Sequence, residues 1–362
     1  MSAEARVTAA PFGTLPDGTD VELLRLESPA GVIVEILTYG ATIHRFLVPD
    51  ADGGTTNVTL GFPTLDDYVT HSDHYIGATV GRVANRIANS TFTLDERTHT
   101  VPANDPPHSL HGGTEGFSRC VWEVQLDATR LGSASARLTY LSPDGEMGYP
   151  GALDVAGTFT LDESGALTVE YVAHTDAPTV VNIANHTSWN LGGEGSGTAL
   201  DHVLTLLARH YTPIGPTLIP TGEIAPVQGT PLDFRRPTSI RARIDSPFAQ
   251  LTYAKGYDHN YVLDPPAGRA SPAAHLLEPT SGRTLEVWTL APGLQVYTGN
   301  FLDGSLFGTS GRPYHRGDGI SLEPQQFPDA PNRPSFPSIV LYPDEVYRST
   351  TVFRCTGSRV GG

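Results

Sequence analysis

At 362 residues the chain is long enough for one large β domain or two average ones, and its 38 Gly and 30 Pro imply many turns. Apolar residues at 39% recur in strand-like runs from end to end, so the composition describes a turn-rich globular chain and not a disordered one. A net charge of −16 repels phosphate backbones, which excludes nucleic acid as a general partner and requires a local basic pocket for any strongly anionic substrate.

In chain order, Val32–Leu37 and Ile43–Val48 read as two strands broken at Tyr39-Gly40, because apolar and polar residues alternate with period two on either side. Thr64–Val69 reads as a short helix capped by Thr64, with Asp66 and Asp67 in its first turn. Leu167–His174, Thr284–Leu290, Gly293–Thr298, Ser338–Tyr342 and Glu345–Arg354 are further strands, rich in β-branched and aromatic residues. Pro16-Asp17-Gly18, Asp52-Gly53-Gly54 and Pro143-Asp144-Gly145 mark turns. Strands do not alternate regularly with helices and no repeat recurs, which argues against a doubly wound sheet, an α/β barrel or a propeller. The expected fold is all-β: one antiparallel sandwich domain spanning residues 1–362, with long loops carrying function.

Cys120 and Cys355 are too few for a zinc knuckle or a disulfide framework and read as reduced thiols. The N-terminal segment lacks an apolar signal core, and no stretch has the uncharged apolar length of a membrane span. The expectation is a soluble, cytoplasmic protein without a membrane partner; whether it is a monomer or a homodimer is not legible.

Familiar motifs are missing. Gly192-Gly193-Glu194-Gly195-Ser196-Gly197 lacks both the Lys-Ser/Thr of a P-loop and the spacing of a dinucleotide fingerprint, so it reads as a flexible surface loop. No Gly-x-Ser-x-Gly elbow supports serine hydrolase chemistry. The pairs His71/His74 and His108/His111 have no supporting cysteines, and in an extended chain positions three apart face opposite ways, so no metal site is expected.

Five polar segments stand out within apolar, Gly-flanked runs: Gly81–Ala88, Ser109–Gly113, Asn185–Leu191, Gly256–Tyr261 and Ser321–Gln326. They supply imidazole, carboxylate, guanidinium and amide groups, which hydrogen-bond hydroxyls and move protons. Singly, each has an ordinary structural explanation. Together they define candidate polyol binding with acid/base capacity.

In this order and at these spacings, the five segments resemble the aldose 1-epimerase family. Gly145–Gly151, Ile219–Glu223, Gly229–Phe234, Gln295–Phe301 and Pro328–Asn332 extend the resemblance from about Phe12 to the final strand. It implies a twisted two-sheet supersandwich with an open sugar cleft, and an activity that exchanges the anomers of free hexoses such as galactose or glucose without metal or organic cofactor. By the same resemblance Glu323 is the general base and His186 the general acid. His111 is a second active-site histidine, Asp258 and Arg86 bind hydroxyls, and Asn85 and Gln295 add polar contacts. Adjacent Asn85 and Arg86 both reach a sugar only if the chain bends between them. Ser188-Trp189 departs from the two aromatics usual in the family, an expected influence on sugar preference, and Met147 stands where an acid is common.

Ring opening needs a proton removed from the C1 hydroxyl and one delivered to the ring oxygen, which a carboxylate and an imidazolium supply together. Three other readings share some of these residues: a glycosidase using Asp258 and Glu323, a non-catalytic sugar-binding module, and a hexose-6-phosphate 1-epimerase, which requires added cations.

Overall fold

The computed structural model describes residues 4–50, 53–127, 132–263 and 268–357. Three antiparallel sheets dominate. The N-terminal one is a five-stranded meander: Arg6–Thr14, Asp20–Glu27, Ile33–Leu37, Thr42–Pro49 and Thr55–Asn57. The largest has nine strands, in the order Glu123–Asp127, Ala134–Ser142, Leu153–Leu161, Ala166–Thr175, Tyr347–Thr356, Thr284–Thr289, Ser271–Leu277, Val203–Leu206 and Thr238–Ser239. A six-stranded sheet runs Ser188–Trp189, Ile320–Gln325, Gly293–Tyr297, Asp258–Val262, His210–Tyr211 and Ala225–Pro226.

Burial follows the period-two pattern of the sequence. In the nine-stranded sheet Leu153, Phe159, Leu285, Val287 and Phe353 are buried while the residues flanking them are partly or fully exposed. They pack with Leu294, Val296, Ile320 and Leu322 of the six-stranded sheet and with Leu24, Val34, Ile36 and Phe46 of the meander in one core. The meander is thus a third sheet added to the expected sandwich. Trp189 joins all three: fully buried on the six-stranded sheet, it lies 5.3 Å from Phe46 of the meander and 5.3 Å from Phe353 of the nine-stranded sheet.

Local signals account for most element ends. Thr64 caps the helix Leu65–Thr70, its hydroxyl accepting from the Asp67 amide at 3.2 Å. The break between the second pair of strands is made by Gly40 (φ 67°) followed by Ala41 (φ 42°). Elsewhere the structure departs from expectation. Of Ser338–Tyr342 only Val340–Leu341 pairs, with Thr179–Val180; Pro337 and Pro343 bracket this stretch and have no amide to donate. The last strand begins at Tyr347 because a turn closes first, Glu345 donating its amide to the Tyr342 carbonyl. The helix Ala249–Ala254 has no side-chain cap and so left no start signal in the sequence.

The glycine-rich stretch is held, not loose. The Glu194 amide bonds the Asn57 carbonyl at 2.7 Å and its carboxylate accepts from Tyr314 at 2.8 Å. No helix among the described residues is long and apolar enough to cross a membrane.

Candidate active site

The central strands of the six-stranded sheet set one wall of the site. Their register aligns Asn260, Gln295 and Glu323 in one row and Asp258, Tyr297 and Ser321 in the next. Alternation sends Tyr261, Leu294, Val296 and Leu322 into the core, so Asp258, Gln295, Tyr297 and Glu323 emerge on the opposite face. Four polar side chains on three strands converge because each strand interrupts its apolar run at the matching register position.

The other wall comes from turns. Arg86–Ile87 pairs with Ser109–Leu110, which brings Asn85 beside His111. Asn85 (φ 62°) and His111 (φ 50°) both adopt the left-handed conformation, and this supplies the bend that lets Asn85 and Arg86 reach the same cavity. Gly112 follows at φ 92°, where a Cβ would lie 1.8 Å from the Gly81 carbonyl oxygen, so only glycine fits the turn behind His111. Arg82, buried alongside, donates to the carbonyls of Pro150 and Gly151 at 3.0 and 2.8 Å, tying the Gly145–Gly151 turn to the segment that carries Asn85 and Arg86. His186 follows the short strand Ala184–Asn185, and its amide bonds the Ala78 carbonyl.

All seven sequence-derived candidates line one open cavity of about 310 Å³. At its floor, His186 Nε2 lies 3.6 Å from Glu323 Oε1. Arg86 bonds Asp105 at 2.8 Å and stands 3.9 Å from Asp258, whose other oxygen accepts from Gln295 Nε2 at 2.5 Å. His111 meets His186 edge to face, with 5.2 Å between ring centroids. Burial raises Glu323 well above the usual carboxylate range, with the neighbouring Asp258 charge adding to it and Arg86 opposing. Burial likewise raises Asp258, against Arg86 and the Gln295 bond. His186 is pushed down to about 4 by burial, and His111 falls well below its ordinary value through burial and then its neighbours His186 and Arg86. Burial therefore disfavours the charged form of both imidazoles.

Several cavity residues escaped the sequence reading. Tyr75, in the left-handed region at φ 53°, lays its ring against His111 at 4.5 Å. Tyr297 faces the cavity 6.2 Å from the His186 ring and stacks on Phe301 at the mouth. Tyr297 was within reach, since it sits two residues from Gln295 on the same strand face. Tyr75 and Asp105 lie in irregular loops, where no periodicity points inward. Of the Ser188-Trp189 pair, the Trp189 side chain points into the core, whereas Ser188 faces the other way and bonds Ser321 at 2.9 Å. The paired histidines also separate. His108 Nδ1 accepts from the Asn89 amide and His111 Nδ1 from the Asn85 amide, while His71 packs on Phe62 and His74 lines the cavity.

A buried imidazole–carboxylate pair ringed by groups of the kind that bond hydroxyls, on an antiparallel β scaffold, has the make-up of an enzyme site for a small polyhydroxylated molecule. The chain belongs to the aldose 1-epimerase family, whose model, described as aldose 1-epimerase, matches residues 22–354. It is 44% identical to the galactose mutarotase of Rattus norvegicus over 349 residues, covering 96% of this chain and 98% of that one. It is 36% identical to the aldose 1-epimerase of Escherichia coli K12, over 94% and 96% of the two chains. The crystal structure of galactose 1-epimerase from Lactobacillus acidophilus superposes with a TM-score of 0.86 at 29% identity, covering 98% of this chain and all of that one. The fold is accordingly that of the galactose mutarotases.

Proposed function

We propose that this chain is an aldose 1-epimerase that interconverts the α and β anomers of free hexoses such as D-galactose and D-glucose. The observation that carries the reading is the 3.6 Å contact of His186 and Glu323 at the floor of a cavity ringed by Asn85, Arg86, His111, Asp258 and Gln295. Glu323 removes the proton of the C1 hydroxyl while His186 protonates the ring oxygen. The C1–C2 bond then turns, and the two groups exchange roles as the ring closes on the other carbonyl face. No proton is consumed, and the chemistry requires neither metal nor organic cofactor. Each positioned transfer is worth about 10²–10⁴-fold.

Burial disfavours charge on both groups, so the pair favours one proton shared between them. The reactive form places it on His186. Arg86, Asp258, Gln295, Asn85 and His111 hold the remaining hydroxyls, and Tyr75 and Tyr297 offer ring faces to the apolar side of a pyranose.

The phosphosugar alternative is disfavoured by charge. Arg86 is the one Lys or Arg among the described lining residues, and it is already committed to Asp105 and Asp258. Asp73, Asp105, Asp258 and Glu323 make the surroundings acidic. A mere binding module has no use for a buried imidazole–carboxylate pair whose protonation preferences are both shifted. We read residues 1–362 as one catalytic domain, and its unpaired Cys120 and Cys355 suit the reducing cytoplasm.

Polarimetry of freshly dissolved α-D-glucose and α-D-galactose in low-phosphate buffer tests the activity. Accelerated decay to the equilibrium rotation supports it and ranks the two sugars. Folded protein that accelerates neither sends the reading to other aldoses or to the binding module.

A further inference from the structure

The face of the six-stranded sheet that presents Glu323 continues beyond the cavity, and there it is polar where a core is expected. Gln325 and Asn260 are each 1% exposed. Both amide atoms of Gln325 and the Asn260 carbonyl oxygen have no protein partner, and neither has Oε2 of Glu323. Buried polar atoms left in this condition are ordinarily satisfied by ordered water, since each costs about 1–3 kcal/mol when unpaired.

The register brings these atoms together. Asn260 lies one strand from Gln295, which lies one strand from Glu323; Gln325 stands two residues beyond Glu323 on the same face, opposite Gly293. Two residues along a strand separate side chains by roughly 7 Å, the span of two long side chains with one water between them. A Cβ at Gly293 would meet Asn260 Oδ1 at 2.3 Å, so the Asn260 carbonyl occupies the space above the glycine and leans toward the Gln325 row. Meanwhile Oε1 of Glu323 is turned to His186. The carboxylate thus has one oxygen turned to His186 and the other buried without a protein partner.

We propose that Gln325 is a positioning residue that, with Asn260, holds an ordered water against Oε2 of Glu323 and so leaves Oε1 to the substrate. A donor on Oε2 stabilises the carboxylate form, the form that accepts a proton from the C1 hydroxyl. It also fixes the carboxyl plane, which a flexible glutamate with one oxygen unpaired does not do for itself. The inference rests on Glu323 being the general base of the proposed reaction.

Gln325→Met keeps the length of the side chain and removes both amide atoms. The expected result is a kcat about tenfold lower with KM within twofold, and an alkaline limb of the kcat/KM profile displaced upward by about one pH unit. The two changes are linked: a tenfold weaker preference for the carboxylate lowers the reactive share of the pair tenfold and delays loss of its proton by one unit. A purely structural role moves neither limb. Asn260→Leu, which removes the second amide, is expected to move the same limb in the same direction and decides the matter if Gln325→Met does not fold. A wild-type crystal structure at high resolution should hold a water within 3.2 Å of Gln325, Asn260 and Glu323 Oε2. The lack of such a water, or unchanged kcat and limb in the variants, overturns the proposal. Wild type inactive on every aldose, or Glu323→Gln as active as wild type, defeats instead the reading on which it rests.

Discussion

Asn85 and His111 are tied to each other twice: the Asn85 amide donates to His111 Nδ1 at 3.1 Å, and the His111 amide donates to the Asn85 carbonyl at 2.9 Å. The first bond fixes the tautomer. With Nδ1 accepting, and with burial and the neighbouring His186 and Arg86 keeping the ring neutral, the proton of His111 sits on Nε2. In the proposed reaction His111 therefore acts as a hydrogen-bond donor to the sugar and not as the acid. His111→Asn is expected to raise KM about tenfold and to lower kcat far less than loss of His186 does, because one donor bond to a hydroxyl is worth about 1–1.5 kcal/mol. Progress curves over a range of sugar concentration separate the two parameters. Equal loss of kcat in the two variants contradicts the assignment.

The acid/base pair should behave as a unit. Glu323→Gln and His186→Asn each remove one end of the proton relay and are expected to lower kcat by about 10²–10⁴-fold. The double variant should be little worse than either single one, since a relay with one end missing is already broken. Circular dichroism and thermal melting establish that the fold persists. Near wild-type turnover in either single variant removes that residue from the chemistry.

The pH profile follows from the same pair. His186 is lowered to about 4, so a second proton enters the pair only as the pH falls through that value, leaving an acid without a base. Glu323 is raised, so the shared proton leaves only as the pH climbs through its elevated value, leaving a base without an acid. The kcat/KM profile is thus expected to be a broad bell whose acid limb lies near 4 and whose alkaline limb lies above the ordinary carboxylate range. An acid limb near 6.5 indicates a histidine titrating as if exposed, and with it a more open, solvated floor than the structure has.

The fold class and the helix capped by Thr64 were legible because period-two burial and capping are local properties written residue by residue. The same alternation places Glu323, Gln295 and Asp258 on one face once the register is known, but register itself is a long-range fact. The resemblance supplied that information by proxy, and all seven residues it named reach one cavity. What stayed hidden has a common cause. Tyr75 and Asp105 are delivered by irregular backbone, and the direction of a side chain there depends on tertiary packing. The protonation preferences of the pair were illegible for a related reason: they arise from burial, which belongs to the assembled site and not to Glu323 or His186 as residues.

The burial of Trp189 leads to a stability prediction. Its ring lies between Phe46 and Phe353, each 5.3 Å away and each from a different sheet, so it is one of the contacts that fix the site-bearing sheet to the rest of the core. Ser188, its neighbour, faces the opposite side and pairs with Ser321 beneath the site. Trp189→Ala opens a cavity at that junction and is expected to cost about 3–5 kcal/mol, whereas Trp189→Phe, which keeps an aromatic edge against both partners, should cost less. Because the indole does not line the sugar cavity, KM for glucose and galactose should remain within about twofold in whichever variant folds. Denaturant melts combined with initial-rate measurements test both halves. A changed ratio of galactose to glucose turnover, without loss of stability, returns Trp189 to the role of a specificity residue.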